Sequence, residues 1–373
     1  MTDPLPDVMQ ALVYRGINDL RVESLPVPQI GSGELLVRVA ACGVCPTDIK
    51  KIQYGTVPPP RIFGHETAGT IVRVGSRVRG FRIGERVALH HHVPCQQCHA
   101  CRHGAFAQCE TYKRTGISAG FEPAGGGFAE YVRVMSCVLP GVVRIPRRNS
   151  FIEGAMLEPV NTVLKAVRRL TLLKGDWVAV VGQGPIGLMF TRILTLKGMR
   201  VIANDLLDQR LRLAADLGAR KLVQGPLGAH AGACRGWTRN NGLDAAIIVV
   251  PSDEAVDQAK DLVRGGGEIL LFAHTLKGVL SSIDFASICM DEKALLGSYS
   301  SDFGLQAEAA KLVFSRNLDM RMLVTHTFSI KEGLEAIALA AKPAPDSLKI
   351  VIAPARDFVS KGVGNECAYT GRQ

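Results

Sequence analysis

The chain has 373 residues, 47% apolar and 21% charged, which excludes a mainly disordered polymer and exceeds what one hydrophobic core usually holds. Lys and Arg number 44 against 34 Asp and Glu, a formal +10, but only 6% of residues are aromatic, which argues against a base-stacking nucleic-acid platform. No apolar run approaches the roughly 18 residues of a membrane helix, and Met1-Thr2-Asp3-Pro4 lacks the order of a signal peptide, so a soluble cytoplasmic protein is expected.

The first elements read as strands. From about residue 10 to 90, runs such as 34–40 (ELLVRVA) and 69–74 (GTIVRV) alternate or are β-branched, and Gly, Pro and Ser turns bound them. Arg73, Arg77, Arg79, Arg82 and Arg86 concentrate charge here, in the pattern of a solvated hairpin edge that discourages edge-to-edge pairing. His90-His91-His92 follows. Neighbours on a strand point to opposite faces, so these are read as histidines without a metal.

Next comes Cys95-x-x-Cys98-x-x-Cys101, then seven residues and Cys109. Ten cysteines in a long chain without a secretion signal do not make a disulfide framework, and clustering of four points to a metal. Four thiolates suit a closed tetrahedral Zn²⁺ site, which leaves no position for substrate and so pins the lobe, about 90–112. An iron–sulfur cluster or free thiols are the alternatives.

From about 151 the rhythm changes. Helical spacing at 151–170 and 187–196 alternates with short apolar runs at 177–181, 200–203, 245–250 and 268–272, the pattern of a doubly wound parallel sheet with helices on both faces. Helices at 305–314 and 330–341 and a strand at 348–352 follow, and the tail beyond Pro354 has no periodicity. Within this region, 177–187 reads as strand, glycine turn and helix start: Gly182 for the tight turn, Gly184 for close approach of a pyrophosphate, then Pro185 and Ile186, and Gly187 for helix–strand packing. Asp205 ends the next strand, where a carboxylate can bind both ribose hydroxyls and would repel a 2′-phosphate, so NAD is favoured. Arg210 lies near enough to meet adenine or a phosphate, which keeps NADP open.

Two further segments, Gly43-Val-Cys45-Pro-Thr47-Asp48 and Gly64-His65-Glu66, complete a set. Taken in order with the cysteine lobe and the glycine turn, they resemble the zinc-containing medium-chain dehydrogenase/reductase family over about residues 10–353. The resemblance is closer to its polyol (sorbitol) and threonine dehydrogenase branch than to its ethanol branch. It implies an α/β chain with a GroES-like β-rich catalytic domain, 1–152 with 296–373, and a Rossmann domain, 153–295. The active site then lies between them, and the assembly is a homodimer or homotetramer.

The resemblance also implies a second, catalytic Zn²⁺ with Cys45 and His65 as ligands. Asp48 would accept the other ring N–H of His65 and fix its tautomer. Glu158, where the ethanol branch has a cysteine, and Glu66 compete as the carboxylate ligand. Thr47 would hydrogen-bond the substrate oxygen and lead its proton toward the cofactor ribose. The ethanol branch has a histidine three residues on, whereas this chain has Lys50; Lys50 or bulk water ends the relay. The implied reaction is NAD(P)-linked interconversion of a secondary alcohol and a ketone, on a small polyol, sugar, cyclitol or hydroxy-amino acid. Tyr54, Tyr112, Arg114, Phe121 and Tyr299 are candidate pocket residues. Two rivals stand beside this reading: an NADPH-dependent biosynthetic ketone reductase, and a zinc-stabilised dinucleotide-binding protein that has lost its chemistry.

Overall fold

The computed structural model describes residues 4–91, 93–111, 125–273, 278–281 and 283–354. His92, Tyr112, Arg114, Phe121 and the tail beyond 354 lie outside the described residues. Short apolar β-branched runs set up the larger parallel sheet. Its six strands lie in the order Lys221–Gln224, Arg200–Asp205, Trp177–Val181, Leu243–Ile248, Val263–Leu271 and Ala294–Gly297. Every pairing is parallel, and the chain runs outward in both directions from the central strand, as in a dinucleotide-binding sheet. Alternation along that strand separates two cores: Val178 and Val180 pack with Leu164, Leu188 and Phe190, while Ala179 and Val181 pack with Ile202 and Leu262. The last strand, Ala294–Gly297, extends two residues past the boundary expected at 295.

The second body is β-rich. A seven-stranded sheet runs Val324–Ser329, Lys349–Ala353, Leu35–Gly43, Glu66–Val74, Arg86–Ala88 and Val143–Arg144, with Tyr131–Val134 also paired to Leu35–Gly43. A three-stranded sheet, Asp19–Pro26, Val8–Gly16 and Arg61–Ile62, packs into the same core through Leu12, Tyr14 and Ile62. Register matters here: Gly43 faces Glu66 on one side and Val351 on the other. The strand that begins at Lys349 therefore runs beside the residues leading into Cys45.

The helix expected over 151–170 is two helices. Phe151–Ala155 starts on a capping box, with the Ser150 hydroxyl accepting from the Glu153 N–H and Glu153 accepting from the Ser150 N–H. It stops at Met156 (φ −76°, ψ 0°), and Leu157–Val167 begins afresh. Pro159 supplies the reason, since it has no N–H for the Ala155 carbonyl and its ring would crowd it; in a new first turn neither matters. The restart places Glu158 in the first turn of a helix buried between the two sheets.

Candidate active site

Cys45 precedes helix Pro46–Tyr54, whose first residue is a proline suited to a helix start. His65 immediately precedes strand Glu66–Val74, which Glu66 opens. One donor atom from each of Cys45, His65 and Glu66 lies within 4.8 Å of the others, a sulfur, a nitrogen and an oxygen suited to Zn²⁺. Asp48, fully buried on the helix, stands 3.2 Å from His65 Nδ1, which turns Nε2 toward the donor group. Burial opposes both charges, but the facing pair prevails: the Asp48 carboxyl is lowered and the His65 imidazole, with Cys45 also near, is raised well above its ordinary value.

The two competing carboxylates have different surroundings. Glu66 is held by Lys349, whose Nζ lies 2.6 Å from it and also donates to the Val44 carbonyl at 2.9 Å. Gly43 lies against it, where an added Cβ would come within 1.9 Å of Glu66 Oε2 and 2.8 Å of Met156 Cε. Glu158 Oε1 instead accepts from the Thr162 hydroxyl at 3.1 Å and faces His91 Nδ1 at 3.6 Å. Burial, with the charge of Glu66, pushes the Glu158 carboxyl up to about 7, against the opposing pull of His65.

Beside this group a cleft of about 1230 Å³ opens between the two bodies. Thr47 and Lys50, one helical turn apart, line it with Tyr54, Lys165 and Tyr299. Burial lowers the Lys50 and Lys165 ammonium groups, and Lys165 donates to the Tyr299 carbonyl at 2.8 Å. The far wall, including Val250 and Phe272, comes from the segments that follow strands Leu243–Ile248 and Val263–Leu271 of the parallel sheet.

The glycine turn lies at the carboxyl end of that sheet. Gly182 has φ 95°, and a Cβ on Gly187 would stand 1.8 Å from the Gly182 carbonyl, so helix Pro185–Leu196 can pack this closely only through glycine. A Cβ on Gly184 would meet no protein atom within 4 Å, which leaves the helix N-terminus open to an anion beside Pro185 and Ile186. Asp205 accepts from the Gln183 N–H at 2.6 Å and the Leu207 N–H at 2.9 Å, with Arg210 4.0 Å away.

The four-cysteine lobe closes as a separate unit. The sulfurs of Cys95, Cys98, Cys101 and Cys109 lie within 4.8 Å of one another, with Cys98–Cys101 at 3.5 Å and Cys95–Cys101 at 4.0 Å. A tetrahedron with Zn–S bonds of about 2.3 Å has an edge of about 3.8 Å, so the donor set fits the ion. Two residues of the main centre escape sequence reasoning. Lys349 is a buried cation in an apolar strand, a signal that was available; His91 lies in the triplet set aside as histidines without a metal.

The Alcohol dehydrogenase GroES-like domain family matches residues 31–146, and the Zinc-binding dehydrogenase family matches residues 185–315. Sorbitol dehydrogenase of Bombyx mori is 31% identical over 359 residues, spanning 92% of this chain and 97% of the relative. Sorbitol dehydrogenase of Bacillus subtilis is 29% identical over 95% of this chain and all of the relative. Among solved structures, 2R,3R-butanediol dehydrogenase from Bacillus subtilis superposes with TM-score 0.81 at 26% identity, covering 93% of this chain and all of that one. A Sinorhizobium meliloti protein crystallised with NADP superposes at 0.83 with 27% identity, covering 94% and 100%. With both halves of the fold matched and a full-length relative above 30% identity, the chain belongs to the zinc-binding alcohol dehydrogenase family of NAD(P)-linked oxidoreductases.

Proposed function

We propose that the chain interconverts a secondary alcohol of the polyol type and its ketone, using NAD. The observation that carries this is the gathering of Cys45, His65 and a buried carboxylate beside the cleft that Thr47 lines. Cys45 and His65, with Glu66 or Glu158, would hold a catalytic Zn²⁺, and Cys95, Cys98, Cys101 and Cys109 a structural one. When bound, the zinc would supply Lewis acidity to the substrate hydroxyl and the nicotinamide a hydride acceptor. The protein's own groups do the rest. Asp48 holds the His65 tautomer. Thr47 accepts the substrate hydroxyl proton's hydrogen bond and leads toward Lys50, whose ammonium is already lowered by burial. Gly182, Gly184, Pro185, Ile186 and Gly187 cradle the pyrophosphate, while Asp205 receives the ribose hydroxyls and disfavours a 2′-phosphate, with Arg210 beside it.

The relatives resembled by the chain are named for sorbitol and 2R,3R-butanediol, both of which carry neighbouring hydroxyls, and this supports the polyol class. No helix among the described residues is long and apolar enough to cross a membrane. The catalytic part would comprise 1–152 and 296–373 and the cofactor part 153–295, assembled as a homodimer or homotetramer in the cytoplasm. The test is NAD reduction across polyols, aminocyclitols, sugar phosphates and threonine, with metal analysis of the same preparation. Turnover with about two zinc ions per chain is expected. A preparation that holds both ions and oxidises none of these alcohols overturns the proposal; preferential use of NADPH with ketones supports the biosynthetic reductase instead.

A further inference from the structure

The helix that carries Glu158 bears a second charged residue on the same face. Glu158, Thr162 and Lys165 fall at i, i+4 and i+7 of Leu157–Val167, so Lys165 stands about 10 Å along the axis from the buried acid. Lys165 lines the cleft with Thr47 and Tyr299, and Lys50 and Lys51 line it from helix Pro46–Tyr54. Burial raises the Tyr299 phenol, and the charges of His65, Cys45, Glu158 and Asp48 also act on it, which places the ring within electrostatic reach of the donor group. Its carbonyl accepts from Lys165 Nζ at 2.8 Å. Elsewhere on the wall, Arg168 pairs with Glu308 and Arg169 donates to the Gly297 carbonyl. The acids of the wall are engaged too: Asp253 accepts from the Ser281 hydroxyl at 2.7 Å and Asp302 from the Gly304 N–H at 2.8 Å. Asp302 acts on Lys165 only at longer range, since among the described residues no carboxylate lies within 4.0 Å of Lys165 Nζ.

We propose that the substrate is an anionic polyol, a small polyhydroxy compound bearing a carboxylate or phosphate that Lys165 binds while the carbinol to be oxidised lies at Thr47. This rests on reading the cleft as the site of polyol oxidation, and it narrows the substrate class. The physical reason is desolvation. A half-buried ammonium with one of its three donors on the Tyr299 carbonyl has two left, and its charge is only partly hydrated. A neutral hydroxyl would occupy those donors and leave the charge unmatched, whereas an anion matches it through charge-assisted hydrogen bonds. Burial lowers the Lys165 ammonium against the opposing pull of Asp302, and a bound anion favours the charged form again. The separation along the helix sets the anion a few carbons from the reacting one, at the far end of a short chain.

The experiment measures kcat/KM of the full-length, zinc-loaded protein with NAD on matched sets at fixed ionic strength: hexitols, the corresponding hexonates and the hexitol 6-phosphates, across their stereoisomers. Wild type should use one anionic class at least about 10-fold better than its neutral counterpart, and whichever class leads identifies the anion as carboxylate or phosphate. In Lys165→Met that class should lose about 10- to 100-fold, while the neutral hexitols change by less than about threefold. Lys165→Arg, which keeps the charge, should retain the greater part of the preference. NADH affinity, read by fluorescence titration, should be the same in all three proteins, which also reports that they are folded. If wild type uses hexitols as well as both anionic classes, the inference is overturned and the polyol reading stands. If Lys165→Met lowers neutral and anionic substrates equally, the lysine serves only to hold the Tyr299 carbonyl; if it weakens NADH instead, the cation belongs to the cofactor. Either result overturns the inference. If a preparation holding both zinc ions oxidises no alcohol at all, the reading of the cleft fails, and this inference with it.

Discussion

Lys349 and Glu66 form a buried ion pair at 2.6 Å, made by two strands that do not pair with each other but both pair with Leu35–Gly43. Burial opposes the ammonium charge, yet the facing carboxylate keeps its pKa above the ordinary lysine value. Lys349→Met leaves Glu66 buried without its cation and should destabilise the fold by about 3–5 kcal/mol. The double variant Lys349→Met with Glu66→Gln should regain much of that. Urea unfolding measures both; equal losses in the single and double variants would show that the pair does not account for the effect.

Cys45→Ser and His65→Ala should each lower turnover by at least about a thousandfold, since the loss of Lewis-acid assistance is worth several kcal/mol of barrier. NADH binding, followed by fluorescence titration, should stay close to wild type because the glycine turn lies in the other sheet. Near-native turnover in either variant refutes their assignment as ligands.

Asp205→Asn is expected to narrow the preference for NAD over NADP. The variant removes the charge and keeps one of the two side-chain oxygens, enough to accept from either the Gln183 or the Leu207 N–H but not from both. Loss of charge-assisted bonds to the ribose should lower kcat/KM for NAD by about 10- to 100-fold. An unchanged NAD-to-NADP ratio shows that this carboxylate does not select the cofactor.

In the cysteine lobe, backbone N–H groups of Gln97 and Cys98 lower the Cys95 thiol to about 6, whereas burial, with its neighbouring thiols, pushes Cys101 up to about 12. A thiol that must lose its proton on binding makes uptake proton-coupled. Zinc affinity of the lobe should therefore weaken steadily from pH 8 to pH 6 in competition with a chromophoric chelator. A flat profile would count against four thiolate ligands.

Glu153 carries a pH-dependent share of stability. Burial raises its carboxyl, but Arg316 at 3.0 Å, the Ser150 N–H and hydroxyl, and Asn149 together lower it below the ordinary 4.5. A depressed folded-state value means stability that is present above the unfolded pKa and is lost as pH falls through the folded one. Glu153→Gln should thus cost about 1.5–3 kcal/mol at pH 7, with the difference from wild type shrinking below about pH 4.5. A gap that persists unchanged into acid would assign the effect to packing.

The parallel sheet was the most legible part of the chain. Trp177–Val181 is a continuous apolar run flanked by a glycine turn, and both its pattern and its fold follow from burial on two faces. Less legible were helix Asp208–Asp216 and strand Lys221–Gln224, where exposed charged residues thin out the periodicity. The site divides in the same way. Cys45, His65, Glu66 and Asp48 belong to short local motifs that the fold brings together. Lys349 reaches Glu66 from 283 residues away, and His91 faces Glu158 from a separate segment of the chain. Contacts of that kind are set by strand order and register, which no local spacing encodes.

The absence of a side chain at Gly43 has its own result. Even a single methyl group there would collide with Glu66 and Met156. Alanine, the smallest possible replacement, would force Glu66 Oε2 off the position in which it meets Lys349. An inert-looking position thus sets where the buried acid of the reaction centre can stand.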